Sequence, residues 1–169
     1  MNHLIQSIEQ SLSTGNHYAA LALALAIPDI CGWIEDPNSS AKARYISWFE
    51  RYLQSKYIRQ RTAQMPEHTF LAGSDCYALR CAFLHEGRET ITDQKAQQVI
   101  ESFQFVVPPS GWTVHKNQAN NKLQLQVDIF CRDVVEGVTQ FLSDMSTNKK
   151  ALSRIKQGLL IQDINGQPI

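Results

Sequence analysis

The chain has no surplus of charge of either sign: 16 Lys and Arg stand against 16 Asp and Glu. Net charge therefore says nothing about a nucleic-acid or membrane partner, and any such signal has to come from local distribution. Cysteines are few. Cys31, Cys76, Cys81 and Cys131 show no CxxC spacing and lie among apolar neighbours. Cys76 and Cys81 are five apart on one expected helix, so their side chains turn to different faces and do not bridge. Four reduced, mostly buried thiols in a cytoplasmic protein is the expectation. Metal spacing is missing as well, because His3, His17, His68, His85 and His115 are scattered and HEGRE (85–89) lacks the second histidine of a zincin helix. No metal or other cofactor is expected. GSDCYALR (73–80) lacks the glycines and lysine of a phosphate loop. The longest apolar run, AALALALAI (19–27), falls far short of the roughly 20 residues that cross a bilayer. The opening MNHLIQSIEQSL has neither the basic start nor the cleavage site of a secretory signal. No membrane association is expected.

Helical periodicity dominates the first half of what is there. Residues 2–12 fit a short amphipathic helix ending before Gly15. Asn16 caps a long helix through YAALALALAIPDICGWIE, which Pro28 kinks or splits. DPNSS (36–40) is a turn cluster, and Ser40 caps a helix over 41–56. Residues 57–73 read as irregular. Ser74 or Asp75 then caps a helix that Gly87 terminates, and a further helix is expected over 93–102. From there the pattern changes. FQFVV (103–107) and WTVHK (112–116) look like strands, and KLQLQVDIF (122–130) alternates apolar and polar residues after the turn-forming NQANN. Helix returns over 129–145 and 148–158. With no internal repeat and no low-complexity linker, residues 1–169 read as one domain. The predicted architecture is mainly α, a helical bundle with a small antiparallel β-hairpin or sheet elaboration at about 103–127.

The stretch YALRCAFLHEG (77–87) has the apolar density of a buried helix, yet it carries Arg80 and His85. Five α-helical residues turn about 140° beyond a full circle, so the two do not share a face as an i, i+4 pair does. A long guanidinium can still curl towards an imidazole one turn on. In the structural reading, Arg80 is a covered ion-pair member and His85 bonds the free carbonyls at a helix end. An unpaired buried arginine is very costly, so an acid should stand beside it. Asp29, next to Pro28, is the first candidate, and Asp75, on the same helix, is the second. Cys81 and His85 are i, i+4 and raise a thiolate dyad, but the sequence offers no oxyanion-binding loop.

The functional reading comes from a resemblance. Arg80-Cys-Ala-Phe-Leu-His85 matches the R-x4-H spacing of HEPN domains, and the wider string LRCAFLHEG resembles one found in uncharacterised bacterial proteins. HEPN domains are small helical bundles that dimerise so that two such motifs face a common cleft. By that resemblance the chain is a homodimeric, metal-independent endoribonuclease of a toxin or defence kind, with a protein partner such as an antitoxin. His85 then helps the 2′-hydroxyl attack the adjacent phosphate, as base or acid. Arg80 holds that phosphate and stabilises the charge gathering on it. Where active members often carry a polar residue after the arginine, this chain has Cys81, and its strands lie outside the minimal family fold. The alternative is a non-catalytic module of the same kind that binds a nucleotide, RNA or protein, with Arg80 and His85 serving structure.

One more region carries charge. Between 42 and 61 stand Lys42, Arg44, Arg51, Lys56, Arg59 and Arg61 against Glu50 alone, interleaved with Tyr45, Trp48, Phe49, Tyr52 and Tyr57. Basic groups beside aromatics suit a single strand, through phosphate contact and base stacking. The competing reading is an amphipathic helix with core aromatics at 45, 48, 49 and 52 and solvated charges outside. Both hold if only Arg51, Lys56, Arg59 and Arg61 reach RNA phosphate. His115, central in the expected hairpin, reads as a strand residue rather than a ligand.

Overall fold

The computed structural model of the chain describes residues 1–87, 102–120, 122–158 and 161. Helix α1 (Asn2–Ser13) is followed by α2 (His17–Glu35), which starts where Asn16 Oδ1 accepts the Ala19 amide at 3.3 Å. Helix α3 (Ala41–Tyr52) starts in the same way, with Ser40 Oγ accepting the Ala43 amide at 3.3 Å. Both caps satisfy an amide that the first helical turn leaves unpaired. The helix expected over 41–56 stops at Tyr52, and a 3₁₀ turn (Gln54–Tyr57) takes over. Pro28 does not split α2, which packs against α1, α3 and the later α5 (Val127–Asp144) along its length. Its carboxyl end is closed by Arg154 of α6 (Lys149–Lys156), whose Nε and Nη2 donate to the Ile34 and Glu35 carbonyls at 2.6 and 3.0 Å. The 19 residues of α2 are long and apolar enough, by length and composition alone, to cross a membrane. Here Ala20, Leu21, Ala24, Leu25, Ile27, Cys31 and Ile34 are instead core.

The aromatic stripe of α3 faces inwards. Tyr45, Trp48, Phe49 and Tyr52 are all buried, each contributing about 1.5–3 kcal/mol by leaving water. Tyr52 meets Phe141 of α5 edge-on with ring centres 5.8 Å apart, and its hydroxyl donates to Asp144 at 3.1 Å. The aromatics of this helix are thus core, as the competing reading has them, but Arg44, one of the charges expected outside, is mostly covered. Cys31, Cys76 and Cys131 are buried and Cys81 partly so. Burial pushes the Cys76 and Cys131 thiols up to about 12, which keeps them protonated and unreactive.

Between α3 and α4 (Gly73–Cys81), residues expected to be irregular contain a minimal antiparallel pair, β1 (Ile58–Arg59) with β2 (His68–Thr69). The N-cap residue of helix α4 is Ala72 rather than Ser74 or Asp75. The helix begins two residues before a Ser74 cap would start it, with its first turn buried against α3. It runs on into a π turn (Ala82–Glu86), which Gly87 ends in the left-handed region at φ +65°. The helix expected over 93–102 lies outside the described residues except for Ser102, which opens a strand.

The second sheet is mixed rather than antiparallel throughout. Its order is β3 (Ser102–Val106), β5 (Lys122–Gln126), β4 (Asn117–Ala119). β4 pairs β5 antiparallel, with Asn117 opposite Gln124, but β3 runs parallel to β5, with Phe103 opposite Leu123. The alternation of β5 places Leu123 and Leu125 in the core and Gln124 on the other face, where it bonds Gln104 and Asn117 across all three strands. WTVHK (112–116) is not a strand. Its backbone is held by side-chain groups, since Val114 N–H donates to Gln126 Oε1 at 3.0 Å. Directly after β5 the chain turns into α5, two residues earlier than its apolar pattern suggested.

Candidate functional site

Three helices bring four charged or titratable side chains to one place. Asp29 comes from α2, Arg44 from α3, Arg80 from α4, and His85 from the π turn. The Arg80 guanidinium donates through Nη1 to His85 Nε2 at 3.1 Å and through Nη2 to Asp29 Oδ2 at 3.3 Å. Arg44 Nε donates to the other oxygen of the same carboxylate, Oδ1, at 2.8 Å. Of the two acids expected to serve Arg80, Asp29 stands beside it. Asp75 is buried in the first turn of α4, where a carboxylate complements the amino end of a helix.

The π turn is what lets Arg80 and His85 meet. On an unbroken α-helix residues five apart diverge around the axis, whereas a π turn closes i to i+5 hydrogen bonds and brings such residues back over one another. Because Arg80 is donor only, His85 Nε2 is the acceptor in this bond. His85 Nε2 faces the guanidinium rather than Cys81. The imidazole is exposed, while the Arg80 side chain is only 18% exposed. Arg80 Nε is buried and meets no acceptor among the described residues. The cluster thus sets a mostly covered guanidinium, its Nε sealed and unpaired among the described residues, next to an imidazole open to water. Two guanidiniums around one carboxylate also leave a positive charge to spare.

Gly32 decides how close α3 comes. A Cβ there would lie 2.9 Å from both the Cβ and the carbonyl oxygen of Arg44, so only glycine admits this approach. One turn earlier on the same helix is Asp29, and Arg44 is placed to reach it. Around the cluster, Tyr77 packs edge-on against Tyr45 with centres 5.5 Å apart, and burial, then the Cys81 thiol, raises its hydroxyl pKa. Ile30, Trp33 and Leu84, neighbours in sequence of Asp29, Gly32 and His85, are 37%, 38% and 36% exposed.

Of the basic residues between 51 and 61, Arg51 lines a surface pocket together with Gly32, Glu35 and Arg44. Arg51 forms an ion pair with Glu35 and sits over the Tyr52 ring. Lys56 holds Asp133 at 3.1 Å and Glu136 at 2.7 Å, both on α5. Arg59 lies over the Phe70 ring at 5.8 Å, and it and Arg61 are exposed at the β1–β2 hairpin. Arg51 and Lys56 are therefore engaged within the fold, and Arg59 and Arg61 remain open to solvent.

A second histidine cluster lies by the sheet. His115 Nδ1 accepts the Gln126 amide at 3.2 Å, and Nε2 points to Asp133 Oδ2 at 3.9 Å. Tyr57 donates to that same oxygen at 2.9 Å. The His115 side chain is 6% exposed, and burial, opposed by Asp133, pulls its pKa below the ordinary histidine value. Sequence reading placed His115 in a strand and missed this cluster, as it missed Arg44 at the first one. The available signal for Arg44 was Gly32, three residues after Asp29.

The chain matches no family model, no curated protein and no solved structure.

Proposed function

We propose that Arg80 and His85 form a phosphate-handling site and that the protein is an endoribonuclease of HEPN-like kind, acting without a metal. The observation that carries this reading is the exposed imidazole bonded to a guanidinium that shares its one carboxylate, Asp29, with a second arginine. RNA supplies what such a pair can use, a 2′-hydroxyl next to a phosphodiester. His85 removes the hydroxyl proton, the 2′-oxygen attacks phosphorus, the bond from phosphorus to the 5′-oxygen breaks, and the protonated His85 returns its proton to that departing oxygen. A 2′,3′-cyclic phosphate and a free 5′-hydroxyl result. Arg80 faces the phosphoryl oxygens, where negative charge concentrates during attack. For His85 to take a proton through Nε2, the Arg80 bond to that atom must give way to phosphate. A second copy of the chain, docked over Ile30, Trp33 and Leu84, would double the site.

The second reading is a non-catalytic module that binds RNA, a nucleotide or a protein. It is favoured by the Asp29–Arg80 ion pair, which gives Arg80 a structural role. Cleavage decides between them. Wild-type protein incubated with RNA in the presence of a chelator should leave cyclic-phosphate ends, and folded His85→Ala should leave the RNA whole. RNA intact with wild-type protein at every pH from 5 to 9 would leave the binding module standing.

A further inference from the structure

We infer that Arg44 is a positioning residue for Arg80: by holding Asp29, it keeps the Arg80 guanidinium available to a phosphate. The inference rests on the reading of Arg80 and His85 as a phosphate site, and it concerns how that site is kept open. Asp29 is the internal competitor of any anion, since it already neutralises Arg80. Its two oxygens are divided unequally. The Arg44 Nε bond is 2.8 Å, within the range of a strong charge-assisted bond, and the Arg80 Nη2 bond is 3.3 Å, beyond it.

A carboxylate with a single arginine partner commonly takes it in a two-pronged grip through parallel N–H donors. Here that grip is not made. Arg80 gives Asp29 one donor, turns Nη1 to His85 and, at 4.0 Å, to Cys81 Sγ, and leaves Nε–H without an acceptor among the described residues. An arginine whose role was structural alone would be expected to have its buried donors met. Arg44 accounts for the difference, because it takes Oδ1 and draws the carboxylate towards α3. Gly32 makes this possible by admitting Arg44 against α2, with no room for even a methyl group. Removing Arg44 frees both Asp29 oxygens for Arg80 and closes the site. Removing the charge of Asp29 instead leaves both guanidiniums uncompensated and opens it.

The two changes therefore act in opposite directions. The test titrates inorganic phosphate into the full chain and follows the His85 imidazole resonances, a readout confined to this cluster. Arg44→Gln should weaken phosphate binding about three- to tenfold, and Asp29→Asn should tighten it by a similar factor. Lys42→Gln, an exposed change on the same helix, measures the effect of one lost positive charge alone. In an Asp29→Asn background, Arg44→Gln should do no more than Lys42→Gln, since no carboxylate is left to hold. If Arg44→Gln does not fold, Arg44→Lys replaces it, keeping the charge, giving up the Nε donor and weakening binding in the same direction.

Equal loss from Arg44→Gln with and without Asp29 would overturn the inference and make Arg44 a direct phosphate contact. Arg44→Gln binding as Lys42→Gln does would overturn it too. Wild-type protein whose His85 signals ignore phosphate would remove the phosphate site itself, a different failure, and the inference with it.

Discussion

Two clusters in this chain use the same parts, an imidazole, a carboxylate and cationic side chains, and finish them differently. In the sheet-side cluster both Asp133 oxygens and His115 Nδ1 have partners, and His115 Nε2 lies 3.9 Å from Asp133 Oδ2. The Gln126 amide meets His115 Nδ1, and Tyr57 and Lys56 meet Asp133. In the α2–α3–α4 cluster the buried Arg80 Nε has no acceptor among the described residues, and the imidazole faces water. Satisfied and sealed polar groups specify a fold, because each left unpaired would cost more than a typical bond gains. Exposed and incompletely used groups are poised for a ligand instead. The difference lies in packing. His115 is covered by the Tyr57 ring and α5, whereas His85 stands on a π turn at the end of its helix.

The largest effect should come from the sealed cluster. Asp133→Ala leaves the buried Tyr57 hydroxyl without its acceptor while Lys56 keeps Glu136, and should cost about 2 kcal/mol in denaturant unfolding. A loss close to zero would mean the cluster is no more committed to the fold than the open one. Arg80→Ala should cost less, about 1.5 kcal/mol, because Asp29 keeps Arg44 when Arg80 is gone. A cost as large as that of Asp133→Ala would make Arg80 a structural residue first.

The third expectation concerns pH. The folded protein binds a proton at His115 less readily than the unfolded chain does, since burial lowers its pKa. Between the ordinary histidine value of about 6.5 and the lowered one, the unfolded state holds more protons. Stability from this group is complete above about pH 6.5 and falls as pH drops below it, by at most ~1.4 kcal/mol per pH unit. His115→Asn, which can still accept the Gln126 amide but does not titrate, should flatten that part of the profile in thermal melts from pH 4 to 8. An unchanged profile would place the acid sensitivity elsewhere. Smallest of all, His85→Ala should leave the thermal midpoint within a few degrees of wild type, because an exposed side chain contributes little to the fold.

Much of the frame was legible because it obeys local rules. Asn16 and Ser40 cap the helices they were expected to cap, and the aromatic spacing of α3 announced its buried face. Asp29 was legible by a different route, since a covered arginine demands an acid and Pro28 marked the neighbourhood. What escaped the sequence is what tertiary contact decides. The π turn has no periodic signature, so Arg80 and His85 looked divergent although they touch. The parallel pairing of β3 with β5 depends on partners far apart in the chain. Val114 and His115 alternate like a strand, but Gln126 takes their backbone and ring, and no ladder forms there. Lys56 and Arg51, read as free for phosphate, are held by acids from α5 and α2.

The contrast between an open and a sealed histidine can be read in one experiment. A dinucleotide with its 2′-hydroxyl replaced by hydrogen offers phosphate but cannot be cleaved, and the histidine ring signals can be followed by NMR as it is added. The His85 resonances should move to saturation while those of His115 stay fixed. His85 signals that stay fixed, or that shift no more than those of His115, would contradict the account.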